Sequence, residues 1–443
     1  MNRELLLRPV HELASLLRSR QISCEELVRA CIDRTEALEP TLNTYITFLP
    51  ERALEQAQRR DREPSRGPLH GIPLSLKDVF DTAGIATTAG ARFLAGRTPE
   101  RDAEVTKRLD EAGCVLMGKA NLNKFAGGES GTNPDFGDMK NPWNQSYSPS
   151  GSSGGSAAQV AVGMVSLSMG SDNGGSIRNP ASVCGIVGFK PTHGLVSTDG
   201  MFPRAYSVDH AGPLTRTVRD TAIALEILAD VQVELEGSVR GTRMGVDRNL
   251  VRLGESDVLR VFEDVLRELE GVGFELVDVE LPTPEEMMPI MYTIFFCEWA
   301  TAHDRWMRER PEEYQGGSRA ALLIPAVDYL KAQQMRRSLQ QRTARAMQDV
   351  DFLVSPCYPI VRRSHRSLPV VGGRRLTLDD ALRYTMPHDL LGLPAISLPG
   401  GFADDDAPVG FQIAGKPFSD ALVLRAAHVY EQATPWHDRH PPI

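Results

Sequence analysis

The sequence predicts a single large α/β domain, a layered α/β/α arrangement with a mixed central sheet covered by helices. Helix-period and strand-period segments alternate along most of the 443 residues, without internal repeats, which is the pattern of layered α/β folds. No long linker divides the chain. From 141 to 189 only Asp172 and Arg178 carry a formal charge, although 24% of the whole chain is charged. A stretch that is uncharged, serine- and glycine-dense and also apolar implies backbone packed inside the protein.

The elements follow in order. Residues 1–62 read as helices, with leucines at helical spacing in the first twenty and a capping box from Ser23 to Glu26. A Pro/Gly/Arg-rich loop at 61–72 ends that section. LHGIPLSLKDVF (69–80) alternates as a strand, with Leu74 and Leu76 on one face and Ser75 and Lys77 on the other. A helix at 103–112 precedes the apolar strand CVLMGK (114–119). SAAQVAVGMV (156–165) suits a buried helix, and VSLSM (165–169) a buried strand running into a turn. Beyond 220 the pattern is conventional: helix 219–229, strand 243–246, helix 256–270 and strand 273–281. A polar helix at 328–349, strands at 351–356, 394–399 and 409–415, and a helix at 420–433 close the chain.

Composition bounds the function. Lys+Arg of 49 against Asp+Glu of 58 gives a net charge of -9, which argues against a nucleic-acid partner. No apolar run is long enough for a membrane span. The start, MNRELLLRPVHELASLLRSR, lacks the apolar core and small-residue cleavage site of a secretory leader. Six cysteines, widely spread and without a CxxC pair, read as reduced core residues of a cytoplasmic protein. An intracellular enzyme is the resulting expectation.

Nine glycines and eight serines crowd into 151–188. A flexible linker would be solvated, whereas this stretch holds Val160, Val162, Met164, Leu167, Met169 and Ile177. Gly151-Ser152-Ser153-Gly154-Gly155 matches the nucleophile-elbow pattern G-x-S-x-G, but NPWNQSYSPS before it is a proline-broken loop rather than the required strand. GCVLMGKA (113–120) is one residue short of a phosphate loop, and Ala120 lacks the magnesium-binding hydroxyl. His437 and His440 have no accompanying carboxylate motif, so no metal site is expected.

A different constellation stands out. Asp172-Asn173-Gly174-Gly175-Ser176 is a tight glycine turn delivering a serine to the start of a helix. Such a turn can aim backbone N–H groups at one point, as an oxyanion requires, here the amides of Asn173, Gly174 and Gly175. Ser176 then needs a base, and the serine-rich region holds no histidine short of His193 at its edge. Lys77, in an apolar strand, is the candidate, because burial disfavours its charged form. The competing readings are a solvated lysine or a partner of Asp78.

HGIPLSLKD, SPSGSSGGSAAQVA, GSDNGGSIRNPASVCGIVGFKPTHG and DHAGPLTRTVRD together resemble the amidase signature family, a likeness dense over 70–220 and extending to GLPAISLP and PVGFQIAG. The resemblance implies a Ser–Ser–Lys set: Ser176 as nucleophile, Ser152 as the middle serine after a cis peptide bond, and Lys77 as base. It divides the chain into N-terminal helices (1–62), a signature core (63–220) and a C-terminal α/β part (221–443) completing the sheet. It implies that GGES (127–130), hence Gly127 and Gly128, lies beside the substrate. Arg178 is read either as a partner for a substrate carboxylate or as an ion-pair partner of Asp172. Asn173 stands where Thr or Ile is usual in the family, Ser150-Gly151 replaces a Gly-Gly pair, and His193 occupies an often aromatic position.

The implied activity is hydrolysis of a small-molecule amide to a carboxylic acid and ammonia or an amine, through an acyl-serine. No cofactor, nucleic acid or membrane is involved in that reading, and a homodimer is compatible with it. The alternative is the amidase-like subunit of a tRNA-dependent amidotransferase, releasing ammonia from glutamine. DHAGPLTRTVRD and the lack of a basic face favour the hydrolase. A non-catalytic binding protein would require a lost triad member, and none is lost. Pocket shape is assigned to loops near 125–131 and 200–207 and to the helices of 290–330.

Overall fold

The computed structural model describes residues 3–314 and 316–443. Eleven strands form one mixed sheet: β1 (Tyr45–Phe48), β2 (Pro73–Lys77), β3 (Val115–Ala120), β4 (Leu167–Asp172), β5 (Val187–Lys190), β6 (His210–Thr215), β7 (Arg243–Val246), β8 (Glu275–Asp278), β9 (Phe352–Pro356), β12 (Ala395–Phe402) and β13 (Pro408–Gly415). The strands β10 (Val370–Val371) and β11 (Arg374–Arg375) make a separate hairpin. The order across the large sheet is β1-β3-β2-β4-β6-β5-β12-β13-β9-β7-β8. The pairs of β2 with β3 and β4 are parallel, whereas β4–β6, β5–β6 and β12–β13 are antiparallel. Strands β2, β3, β4 and β13 are buried along their whole length, as strands covered on both faces must be.

The N-terminal section is helical, with the Ser23–Glu26 capping box formed, except for β1. There the helix Cys24–Leu42 stops at Asn43 in the left-handed conformation, and the β-branched and aromatic Tyr45–Phe48 pairs with β3 as an edge strand. Strands β5 and β6 also lie outside the predicted elements. The region of the 290–330 helices contains a 26-residue helix, Pro284–Glu309. Among the described residues, no helix is long and apolar enough to cross a membrane.

Two close approaches explain the glycines of the core. A Cβ on Gly155 would stand 2.4 Å from the carbonyl oxygen of Asn121, so the helix Gly154–Val162 can seat against that backbone only without a side chain. Gly175 adopts a φ of +120°, and a Cβ there would meet Thr385 Oγ1 at 2.3 Å. Because β2 and β4 run parallel with Leu76 opposite Met169, their carboxyl ends bring Lys77 and the turn after Asp172 to one edge of the sheet. Ligands of open α/β sheets bind outside such ends.

Candidate active site

Lys77 is the last residue of β2 and is fully buried. Its Nζ donates to Ser152 Oγ at 2.7 Å, to Ser171 Oγ at 2.9 Å and to the Ser171 carbonyl at 3.3 Å. It is neither a solvated lysine nor a partner of Asp78, whose carboxylate pairs instead with Lys119 at 3.1 Å. Desolvation, followed by repulsion from the Arg204 guanidinium, holds the Lys77 amine well below the ordinary lysine range, against weaker pulls from Asp172 and Asp209. Sequestration therefore favours the neutral amine.

Ser152 follows a cis peptide bond with Gly151 and is fully buried. Ser153, next to it, donates its backbone N–H to the Ser176 carbonyl at 3.1 Å. That bond ties the start of the helix Gly154–Val162 to the turn carrying Ser176. Ser176 is only 7% exposed and lines a cavity of about 250 Å³.

The turn is shaped by Asp172. Its Oδ1 accepts the N–H groups of Gly174 at 3.2 Å and Gly175 at 2.5 Å, and its Oδ2 accepts that of Ile177 at 3.0 Å. Two of the three amides expected at the oxyanion site are thus turned toward a carboxylate in the resting chain. Burial alone would raise the Asp172 carboxyl, but the Arg178 guanidinium, with help from Lys190 and the turn amides, holds it well below the usual range.

The structure corrects the substrate-binding expectation for Arg178 and keeps the ion pair. The residue is fully buried and absent from the cavity wall. Its Nε and NH2 donate to Asp172 at 3.0 Å each, NH2 also to Asp389 at 2.6 Å, and NH1 to Gln412 at 3.1 Å. With its donors spent on the chain, it anchors the turn. Arg178→Met would strand two buried carboxyls, and a stability loss of about 3–5 kcal/mol is expected in urea unfolding. A loss below about 1 kcal/mol would show the network to be dispensable.

Gly127 and Gly128 line the cavity as expected. The sequence does not single out the rest of its wall by residue. Tyr292, Phe295, Phe296 and Trp299 present one face of the helix Pro284–Glu309, and Leu378, Leu382 and Met386 close the far side. Their helical spacing is visible, but a stripe facing a cavity has the same spacing as one facing core. Arg204, from the 200–207 loop, also lines the cavity; an isolated arginine in a loop carries no periodic signal.

Comparison with known proteins agrees with this geometry. The amidase family model matches residues 26–424. A glutamyl-tRNA(Gln) amidotransferase subunit from Geobacter metallireducens is 35% identical over 97% of each chain. A crystal structure of an amidase superposes with a TM-score of 0.89 at 34% identity, covering 96% of this chain and 99% of the other. The peptide amidase of Stenotrophomonas maltophilia superposes at 0.86 with 29% identity, covering 98% of both. With a family model spanning most of its length and relatives matched end to end, the chain belongs to the amidase family, enzymes that act on carbon–nitrogen amide bonds.

Proposed function

We propose that the chain hydrolyses a small carboxamide through an acyl-Ser176 intermediate, with neutral Lys77 as the base and Ser152 as the relay. The observation that carries this reading is the 2.7 Å contact between the buried Lys77 Nζ and Ser152 Oγ, beside a cavity that Ser176 lines. Lys77 takes a proton from Ser152, Ser152 takes one from Ser176, and Ser176 Oγ attacks the amide carbonyl. The proton returns through Ser152 to the departing nitrogen. Water then uses the same relay in reverse roles to release the acid. Among the described residues, the amides of Asn173 and Ser176 have no acceptor within the chain, so they are the donors free to receive an oxyanion. Those of Gly174 and Gly175 would have to be shared with Asp172.

A second reading has a specific observation behind it. The relatives matched most extensively are named as glutamyl-tRNA(Gln) amidotransferase subunits, and those names favour an ammonia-supplying subunit over a free-standing hydrolase. Both readings share the acyl-serine; they differ in substrate and in the fate of ammonia. The cavity favours the hydrolase, because its wall is largely aromatic and aliphatic rather than built for a zwitterion. An ammonia-release screen of the purified chain over aliphatic, aromatic and amino-acid amides decides between them. Turnover of non-amino-acid amides by the chain alone is expected. Activity restricted to glutamine, or dependent on co-purifying subunits, would establish the second reading instead.

A further inference from the structure

Among the described residues, Arg204 is a cation without a counter-charge in direct contact. Its NH1 donates to the Ala126 carbonyl and, at 3.0 Å, to Asn173 Oδ1. Its Nε is enclosed and has no partner. Its NH2 points along the cavity toward Gly127, 3.8 Å from where a Cβ of that residue would stand. Its guanidinium carbon lies 4.4 Å from the centroid of the Phe295 ring, which fixes the plane of the fork. The nearby acid, Asp209, is committed elsewhere: Oδ1 accepts from Asn173 Nδ2 at 2.8 Å, and Oδ2 accepts the backbone amides of Arg204 and Ala205 at 2.9 Å each. Burial pushes Arg204 down only to about 10, so it remains cationic near neutral pH.

We infer that Arg204 is a specificity-determining residue that receives a carboxylate of the substrate, so that the preferred substrate is the monoamide of a dicarboxylic acid. This rests on the amide-hydrolase reading of the same cavity. A desolvated guanidinium with free fork donors is matched by a carboxylate, which accepts two parallel N–H bonds. Ser176 and Arg204 line the same cavity, which would hold the amide of such a molecule at one end and its acid at the other. Asn173, bonded through Oδ1 to Arg204 and through Nδ2 to Asp209, is the residue that positions the fork.

The cavity also argues against an amino-acid amide. Glu129 is the one carboxylate on its wall among the described residues. Both of its oxygens are taken, by Arg363 at 2.8 and 2.9 Å and by Tyr358 Oη at 2.5 Å. An α-ammonium group would enter without a partner and lose its hydration.

Binding to the Ser176→Ala chain, read by calorimetry, tests the inference without requiring turnover, so its failure is separable from failure of the hydrolase reading. The probes are succinamate, its neutral counterpart butyramide, and glutamine. Succinamate is expected to bind roughly ten- to hundredfold more tightly than either of the others, as a charge-assisted pair implies. The preference over butyramide should vanish in Ser176→Ala/Arg204→Leu and partly return in Ser176→Ala/Arg204→Lys, which also controls for misfolding. Equal affinity for succinamate and butyramide, no detectable succinamate binding, or a preference surviving Arg204→Leu would overturn the role of Arg204. Glutamine binding as tightly as succinamate would overturn the substrate class.

Discussion

Ser176→Ala is expected to lower amide turnover by about 10⁴- to 10⁶-fold, the range seen when a nucleophile of a serine hydrolase is removed. The expected residue of activity is the part supplied by substrate positioning and oxyanion contacts, which need no nucleophile. The fold should be little affected: Ser176 contributes its backbone carbonyl to the bond with Ser153, and that bond survives truncation of the side chain. Unchanged thermal unfolding together with loss of ammonia release is the expected pair of results. A fluorophosphonate label mapped by mass spectrometry should fall on Ser176, and a label on Ser153 would transfer the nucleophile to the glycine-flanked serine that matches the elbow pattern. Substantial turnover in Ser176→Ala would refute the assignment outright.

Lys77→Met is expected to cost roughly 10²–10⁴-fold in turnover, the usual contribution of a general base, and to change how both activity and stability depend on pH. The Lys77 amine is depressed well below the ordinary lysine range by burial and by Arg204. Below its folded-state value, the amine is protonated and cannot accept from Ser152, so kcat/KM in the native enzyme should rise with pH on the acid side. Between that value and the ordinary lysine value of about 10.4, the unfolded chain holds a proton that the folded chain lacks. Stability then rises with pH, because the unfolded state binds more protons, with a limiting slope of about 1.4 kcal/mol per pH unit from this one group. Lys77→Met removes that contribution. Urea unfolding of both chains across neutral to alkaline pH should therefore show a steeper upward slope in the native protein. Parallel slopes would mean that residue 77 is protonated in the fold, and the base would have to be sought elsewhere.

The residues of the site differ in how far local sequence reveals them. Lys77 can be read directly, since a lysine on an apolar strand must either reach water or lose its charge. Ser176 can be read from the glycine turn before it. Ser152 is named only through the family resemblance, because nothing in GSSGGS distinguishes one hydroxyl from its neighbour; its contact with Lys77 joins segments 75 residues apart in sequence. The oxyanion turn is legible as a turn, but not that Asp172 draws two of its amides inward. Arg178 stands between two roles in the sequence because its partners, Asp389 and Gln412, lie more than 200 residues downstream.

Local pattern is sufficient for the alternation of helices and strands, the buried uncharged core and the candidate base, since hydrophobic period and desolvation act on a residue and its near neighbours. The edge strand β1 escapes because four residues between two helices carry too little periodicity to outweigh their surroundings. Folding of distant segments against one another decided which cations were paired. Arg178 found two carboxylates, while Arg204 found carbonyl oxygens and an aromatic face. A charge is neutralised by whatever the packed chain brings within a few ångströms, and that proximity is written in three dimensions rather than in the order of the residues.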